Sequence, residues 1–217
     1  MVPESDSTKN DCIRKNERIL FFGDSITAQG EEPFGYVSLV RIAMQEIDPN
    51  LSVEVMSAGK SGDRVPDLQR RLRRDVVSRE PTIVVVFIGV NDVWHWDTPR
   101  GGTVKEKYGN GLWEIISRLK ARKIRVLLCT PAVIGEREPG ENPMDEMLGQ
   151  YAEISRRVAE AQDVQLIDLH TAFREYGRKY NPENREYGIL TTDGVHLNDA
   201  GNRFVARKMV EALTSLE

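Results

Sequence analysis

"LFFGDSITAQG", residues 20–30, is the stretch that decides the fold of this chain. Its apolar run ends abruptly at Gly23-Asp24-Ser25. Such an ending is expected where a buried strand reaches the edge of a sheet and the chain turns into a helix. Ser25 is then either a nucleophile at the tip of a strand or a residue that only caps the helix. The rest of the sequence has to decide between these two interpretations.

Four more apolar runs repeat this pattern along the chain. With residues 18–23 they form a set that is nearly continuous in Val, Ile, Leu and Phe: 51–57, 82–89, 124–130 and 164–169. Continuous apolar runs are typical of strands buried on both faces, as in a parallel sheet. Helical patterns separate the runs, and a last helix is predicted from Asn198 or Asp199 toward Leu213. This alternation predicts an α/β fold, a doubly wound three-layer α/β/α sandwich.

The composition is that of an ordinary globular protein. Of the 217 residues 40% are hydrophobic, which suffices for one sizeable core and makes a single domain the default. We expect residues 1–17 to be a polar N-terminal tail and residues 18–217 to form the domain. The formal net charge of −4 gives no electrostatic case for nucleic-acid binding. The two cysteines, Cys12 and Cys129, are expected to be free thiols.

Nothing in the sequence predicts a membrane segment. No apolar run reaches membrane-spanning length, and the N-terminus lacks the basic and apolar regions of a signal peptide. We therefore expect a cytoplasmic protein without membrane contact, and secretion is the alternative if a leader has been removed. The oligomeric state stays open.

Arginines are concentrated in residues 63–80, "DRVPDLQRRLRRDVVSRE". The apolar residues of this stretch fall at helical spacing: Val65, Leu68, Leu72 and Val76. An amphipathic helix is therefore predicted, with its arginines on the solvated face. We prefer this interpretation to a binding site for a polyanion.

Chemically capable residues follow the predicted strands. In a doubly wound sheet, ligands bind beyond the carboxyl ends of the strands. The first three predicted strands run into Ser25, Gly59 and Asn91, and Asp193 and His196 stand just before the last helix. A sheet edge needs turns, but it does not need a Ser, an Asn, an Asp and a His. The pattern therefore predicts a catalytic site at this edge.

Several common kinds of site are excluded by their spacing. The sequence Gly59-Lys60-Ser61 resembles the end of a phosphate-binding loop, but Glu54 stands where that motif needs glycine. No G-x-G-x-x-G follows the first strand, and no G-x-S-x-G surrounds Ser25. The three histidines lie far apart, without metal-ligand spacing: His95, His170 and His196. We therefore expect no metal and no organic cofactor.

Acyl-transfer chemistry fits the residues that remain. A serine hydroxyl needs a base to take its proton, and a histidine base needs a carboxylate to orient it. Asp193 and His196 are close enough in sequence for one tight turn to place the carboxylate against the imidazole. The oxygen that becomes negative needs donors set in advance, which the N–H groups of Ser25 and Gly59 and the side chain of Asn91 would provide.

Four blocks of the chain, in order, resemble the motifs of the SGNH/GDSL serine esterases. Residues 23–27 (Gly-Asp-Ser-Ile-Thr) are similar to the first block, and Gly59 to the glycine of the second. Residues 89–92 (Gly-Val-Asn-Asp) resemble the third block and residues 193–197 (Asp-Gly-Val-His-Leu) the last. Ser57 departs from the family pattern, which often has asparagine two positions before the glycine. That puts the hydrogen bonding around Gly59 in doubt, but not the role of the glycine itself.

The resemblance implies a role for each motif residue. Ser25 would be the nucleophile, His196 the base and later the acid, and Asp193 the residue that orients His196. The N–H groups of Ser25 and Gly59 and the side chain of Asn91 would form the oxyanion hole. It also implies a flavodoxin-like three-layer sandwich with a parallel five-stranded sheet, no metal or organic cofactor, and hydrolysis of a small ester.

The substrate is not specified by the motifs. Trp94 and Trp96 follow the Asn91 block and either line the substrate pocket or pack the loop onto the body. If they line the pocket, they would favour short acyl esters, including O-acetyl groups on a carbohydrate. The alternatives are a thioesterase or lysophospholipase on the same triad, or a non-catalytic ligand-binding module.

Other features near this edge are interpreted as structural. Residues 94–103 and 132–145 are expected to be long loops. Asp24 is expected to bond nearby backbone, and His170 to be an incidental polar residue near the rim.

Overall fold

The sheet contains the strands that the apolar runs predict. The computed structural model describes residues 13–216, apart from the side chain of Asp97. Within this range each strand overlaps one of the predicted runs: β1 (Arg18–Gly23), β2 (Glu54–Gly59), β3 (Ile83–Phe87), β4 (Arg125–Cys129) and β5 (Gln165–Ile167).

Helices connect these strands in the described part of the chain. They are α1 (Ser25–Gln29), α2 (Tyr36–Ile47), α3 (Val65–Asp75), α4 (Val90–Trp94), α5 (Lys105–Lys120), α6 (Asp145–Ala161), α7 (Leu169–Tyr180) and α8 (Asp199–Thr214). The side chain of Asn198 caps α8 by accepting a hydrogen bond from the Gly201 N–H, so the predicted start of the last helix is confirmed. None of the helices that the structure describes is both long and apolar enough to cross a bilayer.

The strand order places an open crevice at the carboxyl edge of the sheet. All neighbouring strands are parallel, in the order β2-β1-β3-β4-β5, which confirms the flavodoxin-like sheet. The chain leaves β1 toward β2 on one side and later returns to β3 on the other. Connections therefore diverge between β1 and β3, and such a switch point is where ligands bind in these sheets. Gly23 lies opposite both Gly59 and Phe87 at this point.

Two apolar layers enclose the sheet, one on each face. Alternate strand residues, such as Phe21, Val85 and Leu127, pack with α2, α7 and α8. Their neighbours in sequence, Phe22 and Val86 among them, pack with α3, α5 and α6. This alternation explains why the strands are apolar throughout, and it confirms the three-layer sandwich.

The local sequence pattern does not predict how the described N-terminal residues contact the rest of the chain. The predicted tail, residues 1–17, lies largely outside the described residues, as does Cys12. Its described end contacts the body, where Ile13 packs on the core and Glu17 is buried and paired with Arg125. Cys129 is a buried free thiol.

Of the two predicted loops, one is confirmed and one is partly wrong. Between β4 and α6 the chain is irregular, as predicted for residues 132–145. In residues 94–103, the predicted loop begins inside α4 and continues as a 3₁₀ turn over His95–Asp97. Helical structure continues into this segment from the buried residues of α4, which the local pattern of glycine and proline does not reveal.

The predicted solvated face of α3 is wrong at one arginine. Arg70, Arg73 and Arg74 are exposed, as the amphipathic pattern indicates. The side chain of Arg71 is only 6% exposed and reaches carbonyl groups at the ends of β1 and β2. Polar backbone at the sheet edge provides partners for a buried guanidinium that hydropathy alone cannot anticipate.

Candidate active site

Ser25 occupies a tight turn at the carboxyl end of β1. It is the first residue of α1 and is 8% exposed. Asp24 caps this helix by accepting a hydrogen bond from the Ile26 N–H at 3.0 Å, which confirms the structural role predicted for Asp24. Gly23 leaves no room for a side chain, since a Cβ there would lie 2.3 Å from the carbonyl oxygen of Phe87. The close contact between strands thus fixes where Ser25 stands.

His196 lies between Ser25 and Asp193. Its Nε2 is 3.0 Å from Ser25 Oγ, and its Nδ1 is 2.7 Å from Asp193 Oδ2. An ionised carboxylate only accepts, so Nδ1 carries the proton and Nε2 is free to accept from the serine hydroxyl. The structure therefore brings together the three residues that the sequence predicted as a triad.

A short turn holds the carboxylate of Asp193 against the imidazole. Its Oδ1 accepts hydrogen bonds from the N–H groups of Val195 at 3.0 Å and His196 at 2.8 Å. Gly194 has φ +91°, a left-handed conformation that favours glycine. Burial alone would raise the pKa of Asp193, but the hydrogen bonds from His196 and Val195 hold it below its usual value. The carboxylate stays ionised where it is needed beside the ring.

Glu136 anchors the segment that carries Asp193 and His196. Its carboxylate accepts hydrogen bonds from three successive N–H groups, at 2.8 Å from Ile189, 2.6 Å from Leu190 and 3.0 Å from Thr191. Sequence reasoning missed Glu136, because the contact joins two irregular segments 53 positions apart. Only the fold brings these segments together.

Asn91 projects from the start of α4, at the carboxyl end of β3. Its side chain is buried, and Nδ2 donates to the main-chain carbonyl of Asp63 at 3.1 Å. A primary amide has two N–H groups, so Nδ2 can donate a second hydrogen bond while it keeps this one. Asp92 follows, and both of its carboxylate oxygens accept from the Val65 N–H, at 3.1 and 3.2 Å. These contacts tie α4 to the start of α3.

Gly59 ends β2 directly beside α1. A Cβ at this position would lie 2.1 Å from the main-chain nitrogen of Ala28, so only glycine lets the helix pack here. The Gly59 N–H donates to Ser57 Oγ at 3.3 Å, and Ser57 Oγ donates to the Thr27 carbonyl at 3.4 Å. Ser57, the departure from the family pattern, therefore contacts the glycine itself. Since 3.3 Å is a long hydrogen bond, the N–H group is only weakly engaged.

Two buried carboxyl groups lie beneath the site. Burial raises the pKa of Asp24 to about 7, although the hydrogen bond from Ile26 works against the rise. Burial likewise raises the pKa of Asp92 to about 6, against the hydrogen bond from Val65. Protonation of these groups is thus linked to folding near neutral pH.

The two tryptophans lie in different surroundings. Trp94 stands one helical turn after Asn91, on the same face of α4, and its ring centroid is 6.1 Å from that of His196. Trp96 follows in the 3₁₀ turn and packs on Gly102, where an added Cβ would lie 2.2 Å from the indole. It lines a surface depression with Val104 and with residues of α5 and α6. The structure thus brings Trp94, and not Trp96, to the triad.

His170 is buried at the start of α7, away from the triad. Its Nδ1 is 2.9 Å from the Ala132 carbonyl oxygen, and burial lowers its pKa. The ring is a structural support for the segment after β4 rather than an incidental rim residue. Within residues 13–216, no group of three or more His, Cys, Asp or Glu side chains is arranged to hold a metal ion.

This arrangement is suited to nucleophilic substitution at an acyl group. A hydroxyl contacts a ring nitrogen that can take its proton, and an ionised carboxylate balances the charge that the ring then gains. Ser25, Gly59 and Asn91 stand at the same edge of the sheet, at or just after the carboxyl ends of β1, β2 and β3.

Comparisons with known proteins agree with this chemistry. A sequence model described as the GDSL-like Lipase/Acylhydrolase family matches residues 21–204. An acetylxylan esterase of Geobacillus stearothermophilus is 32% identical over 219 residues, covering 93% of this chain and 95% of that protein. The human isoamyl acetate-hydrolyzing esterase 1 homolog is 27% identical, over 87% of this chain and 77% of its own length. The crystal structure of an acetyl xylan esterase, AlAXEase, is 43% identical with a TM-score of 0.87, covering 90% of this chain and 98% of that one.

Proposed function

The chain belongs to the GDSL-like lipase/acylhydrolase family and is a carboxylic ester hydrolase, and from this premise we propose that it removes acetyl groups from carbohydrate hydroxyls. The reaction would proceed through an acyl-enzyme on Ser25. One observation carries the proposal: the hydrogen-bonded series from Ser25 Oγ to His196 at 3.0 Å and from His196 to Asp193 at 2.7 Å.

Acylation is the first half of the proposed reaction. Ser25 Oγ attacks the carbonyl carbon of the ester while His196 Nε2 takes the hydroxyl proton. The carbonyl oxygen becomes negative and accepts hydrogen bonds from the Ser25 and Gly59 N–H groups and the Asn91 amide. The bond to the sugar oxygen then breaks. His196 returns the proton to that oxygen, and the acetyl group stays on Ser25.

Deacylation repeats these steps with water as the nucleophile. His196 takes a proton from the water as it attacks the acetyl carbon, and the same donors bind the oxyanion. The bond to Ser25 Oγ breaks, His196 gives the proton back to the serine, and acetate leaves. Asp193 stays ionised throughout and stabilises the imidazolium that forms twice in each cycle.

Two observations support an acetylated carbohydrate as the substrate. Trp94 is 36% exposed beside His196, and its flat indole suits the C–H face of a sugar ring. The similar proteins are named for the hydrolysis of acetate esters, on xylan or on isoamyl alcohol. A pocket narrowed by an indole favours a short acyl chain over a long one.

The test compares acyl chains and alcohol groups in one series. We expect kcat/KM for p-nitrophenyl acetate to exceed that for the octanoate by roughly ten-fold or more. Acetylated xylo-oligosaccharides should release acetate, and Ser25→Ala should abolish release from every substrate. Preference for the octanoate would contradict the proposal, and faster hydrolysis of acetyl thioesters than of oxygen esters would favour a thioesterase.

Trp94→Ala tests the sugar contact, with Trp113→Ala as its matched control because Trp113 is an exposed tryptophan on α5. Trp94→Ala should lower kcat/KM for the acetylated sugar more than for p-nitrophenyl acetate, because only the sugar presents the C–H face of a pyranose ring to the indole. Trp113→Ala should change neither. Equal losses on both substrates for Trp94→Ala would mean that the indole only anchors α4.

A further inference from the structure

We propose that Arg71, buried beneath the ends of β1 and β2, is a positioning residue for the oxyanion hole of Ser25, Gly59 and Asn91. The inference rests on the function proposed above, because it gives Arg71 a part in the same reaction.

The guanidinium of Arg71 fixes the direction of the Gly59 N–H. Its Nη1 donates to the carbonyl oxygen of Ala58 at 2.8 Å. The Ala58 carbonyl and the Gly59 N–H belong to one planar peptide unit. Any rotation of this unit would therefore break the hydrogen bond to Arg71 and also move the Gly59 N–H, which donates to Ser57 Oγ at 3.3 Å.

The same guanidinium holds the strand end that precedes Ser25. Its Nη2 donates to the carbonyl oxygen of Gly23 at 2.7 Å. That carbonyl also accepts from the Lys60 N–H at 3.1 Å, so the ends of β1 and β2 are joined at one point. The N–H group of Ser25 is two residues further along this turn.

A third contact reaches Asn91 through Asp63. Arg71 Nε donates to Asp63 Oδ2 at 2.5 Å, and the main-chain oxygen of Asp63 accepts from Asn91 Nδ2 at 3.1 Å. The Asp63 N–H closes the turn by donating to the carbonyl of Lys60 at 3.2 Å. One side chain thus contacts the backbone or turn next to all three proposed oxyanion donors.

Burial and charge argue against an incidental contact. The side chains of Arg71 and Asp63 are 6% and 7% exposed, so neither is a solvated surface group. Asp75 adds a second carboxylate at 3.4 Å, and the guanidinium carbon lies 4.6 Å from the centre of the Phe22 ring. A planar group with five donors can bond three acceptors in fixed directions, which an ammonium on a flexible stem cannot.

Arg71→Lys tests the proposal because it keeps the charge and removes the planar set of donors. We expect kcat on p-nitrophenyl acetate to fall about ten- to a hundred-fold with KM nearly unchanged. The pH midpoint of kcat/KM should stay at the wild-type value, since the imidazole and its carboxylate are untouched. Affinity for a boronic acid, which forms a tetrahedral adduct on serine, should fall by a similar factor.

Two control variants separate positioning from loss of stability. Leu72→Ala removes a fully buried side chain from the same helix, so it should lower Tm while kcat below the unfolding transition stays at the wild-type value. Arg74→Lys changes an exposed arginine of α3 and should leave kcat and Tm unchanged. If Arg71→Lys does not fold, Asp63→Asn provides the same test, because it breaks the ion pair and keeps the carbonyl that Asn91 contacts.

A double-mutant cycle with Asn91→Ala gives the sharpest outcome. If Arg71 acts through the oxyanion hole, the combined loss in kcat must fall short of the product of the two single losses. Independent, multiplicative losses would overturn the proposal, as would a kcat for Arg71→Lys equal to that of Leu72→Ala. If the wild type does not hydrolyse acetyl esters, the proposed function fails first. If it does and only these comparisons fail, the inference about Arg71 alone is wrong.

Discussion

The two walls of the crevice hold their residues in different ways. The wall that carries the proposed oxyanion donors Ser25, Gly59 and Asn91, called the oxyanion wall, stands at the ends of three strands, and Ser25 and Asn91 are only 8% and 4% exposed. The wall that carries the proposed base and its carboxylate, residues 189–198, is called the acid–base wall and belongs to no strand of the sheet. In it the side chains of His196 and Asp193 are 21% and 49% exposed.

The two walls are held in place by different kinds of hydrogen bond. The oxyanion wall is tied into the buried ends of β1 and β2 and the turn at Asp63, so its hydrogen bonds are also contacts of the folded core. The acid–base wall depends on a local turn at Asp193 and on the carboxylate of Glu136. We therefore expect substitutions in the first wall to lower stability and rate together, and substitutions in the second to lower mainly the rate.

The largest effect is expected for Asp193→Asn. The asparagine oxygen can still accept from the Val195 and His196 N–H groups, so the turn and Tm should be nearly unchanged. Its NH₂ group would face Nδ1 of His196 and force the proton onto Nε2, which removes the base from Ser25. We expect kcat to fall by about 10⁴-fold. A Tm loss as large as that of Asn91→Ala would break the contrast between the walls.

Asn91→Ala should lower both kcat and Tm. Removing the amide takes one donor from the oxyanion and leaves the Asp63 carbonyl without its buried partner. We expect kcat to fall by roughly 10²–10³-fold with little change in KM, together with a measurable loss of Tm. Steady-state kinetics and thermal denaturation on one preparation check this. A kcat within a few-fold of wild type would mean that another group fills the role.

Glu136→Gln tests the support of the acid–base wall. An amide keeps one acceptor but places NH₂ against backbone N–H groups at Ile189, Leu190 or Thr191. We expect kcat to fall about ten-fold as His196 loses its fixed position, with a smaller change in KM. Glu138→Gln, an exposed neighbour, is the matched control and should behave as wild type. Equal activity of the two variants would show that the segment is held without Glu136.

The smallest expected effect is a change in how Tm depends on pH when Asp24 is replaced. Because the folded pKa of Asp24 is about 7, above the ordinary value of 3.8, the folded chain keeps a proton that the unfolded chain has lost. The stability this contributes is fully present below the ordinary pKa and is lost as the pH rises through about 7. Tm should therefore fall between about pH 5 and pH 8 more steeply in wild type than in Asp24→Asn.

The control for this comparison is Asp48→Asn, which alters the cap of an exposed turn. It should keep the wild-type change in Tm. Asp92, whose pKa is about 6, acts in the same direction in all three proteins and leaves a residual slope in Asp24→Asn. Identical pH profiles for wild type and Asp24→Asn would contradict the protonation of Asp24 in the folded protein.

The sequence predicted those features that depend on local pattern and on strand ends. Continuous apolar runs identify strands buried on both faces, and their carboxyl ends place Ser25, Gly59 and Asn91 at one edge. Asp193 and His196 were found because a three-residue spacing suits a tight turn. The roles of all five residues in catalysis remain predictions that the experiments above test.

Features that depend on contacts distant in sequence could not be predicted. Arg71 lies in an arginine-rich amphipathic stretch, and only the carbonyl groups of two strand ends explain its burial. Glu136 lies in an irregular segment, and its role follows only from the hydrogen bonds that it accepts from residues 189–191. Trp94 and Trp96 are nearly adjacent, yet a helical turn followed by a 3₁₀ turn directs them to different surroundings.

In the proposed reaction Ser25, activated by His196, is the residue that becomes acylated. The most direct measurement is labelling with a fluorophosphonate, followed by intact mass and peptide mapping. We predict a single adduct on the peptide that contains Ser25, no adduct in Ser25→Ala, and strongly slowed labelling in His196→Ala. A stoichiometric adduct on any other residue, or undiminished labelling of Ser25→Ala, would show that Ser25 is not the nucleophile.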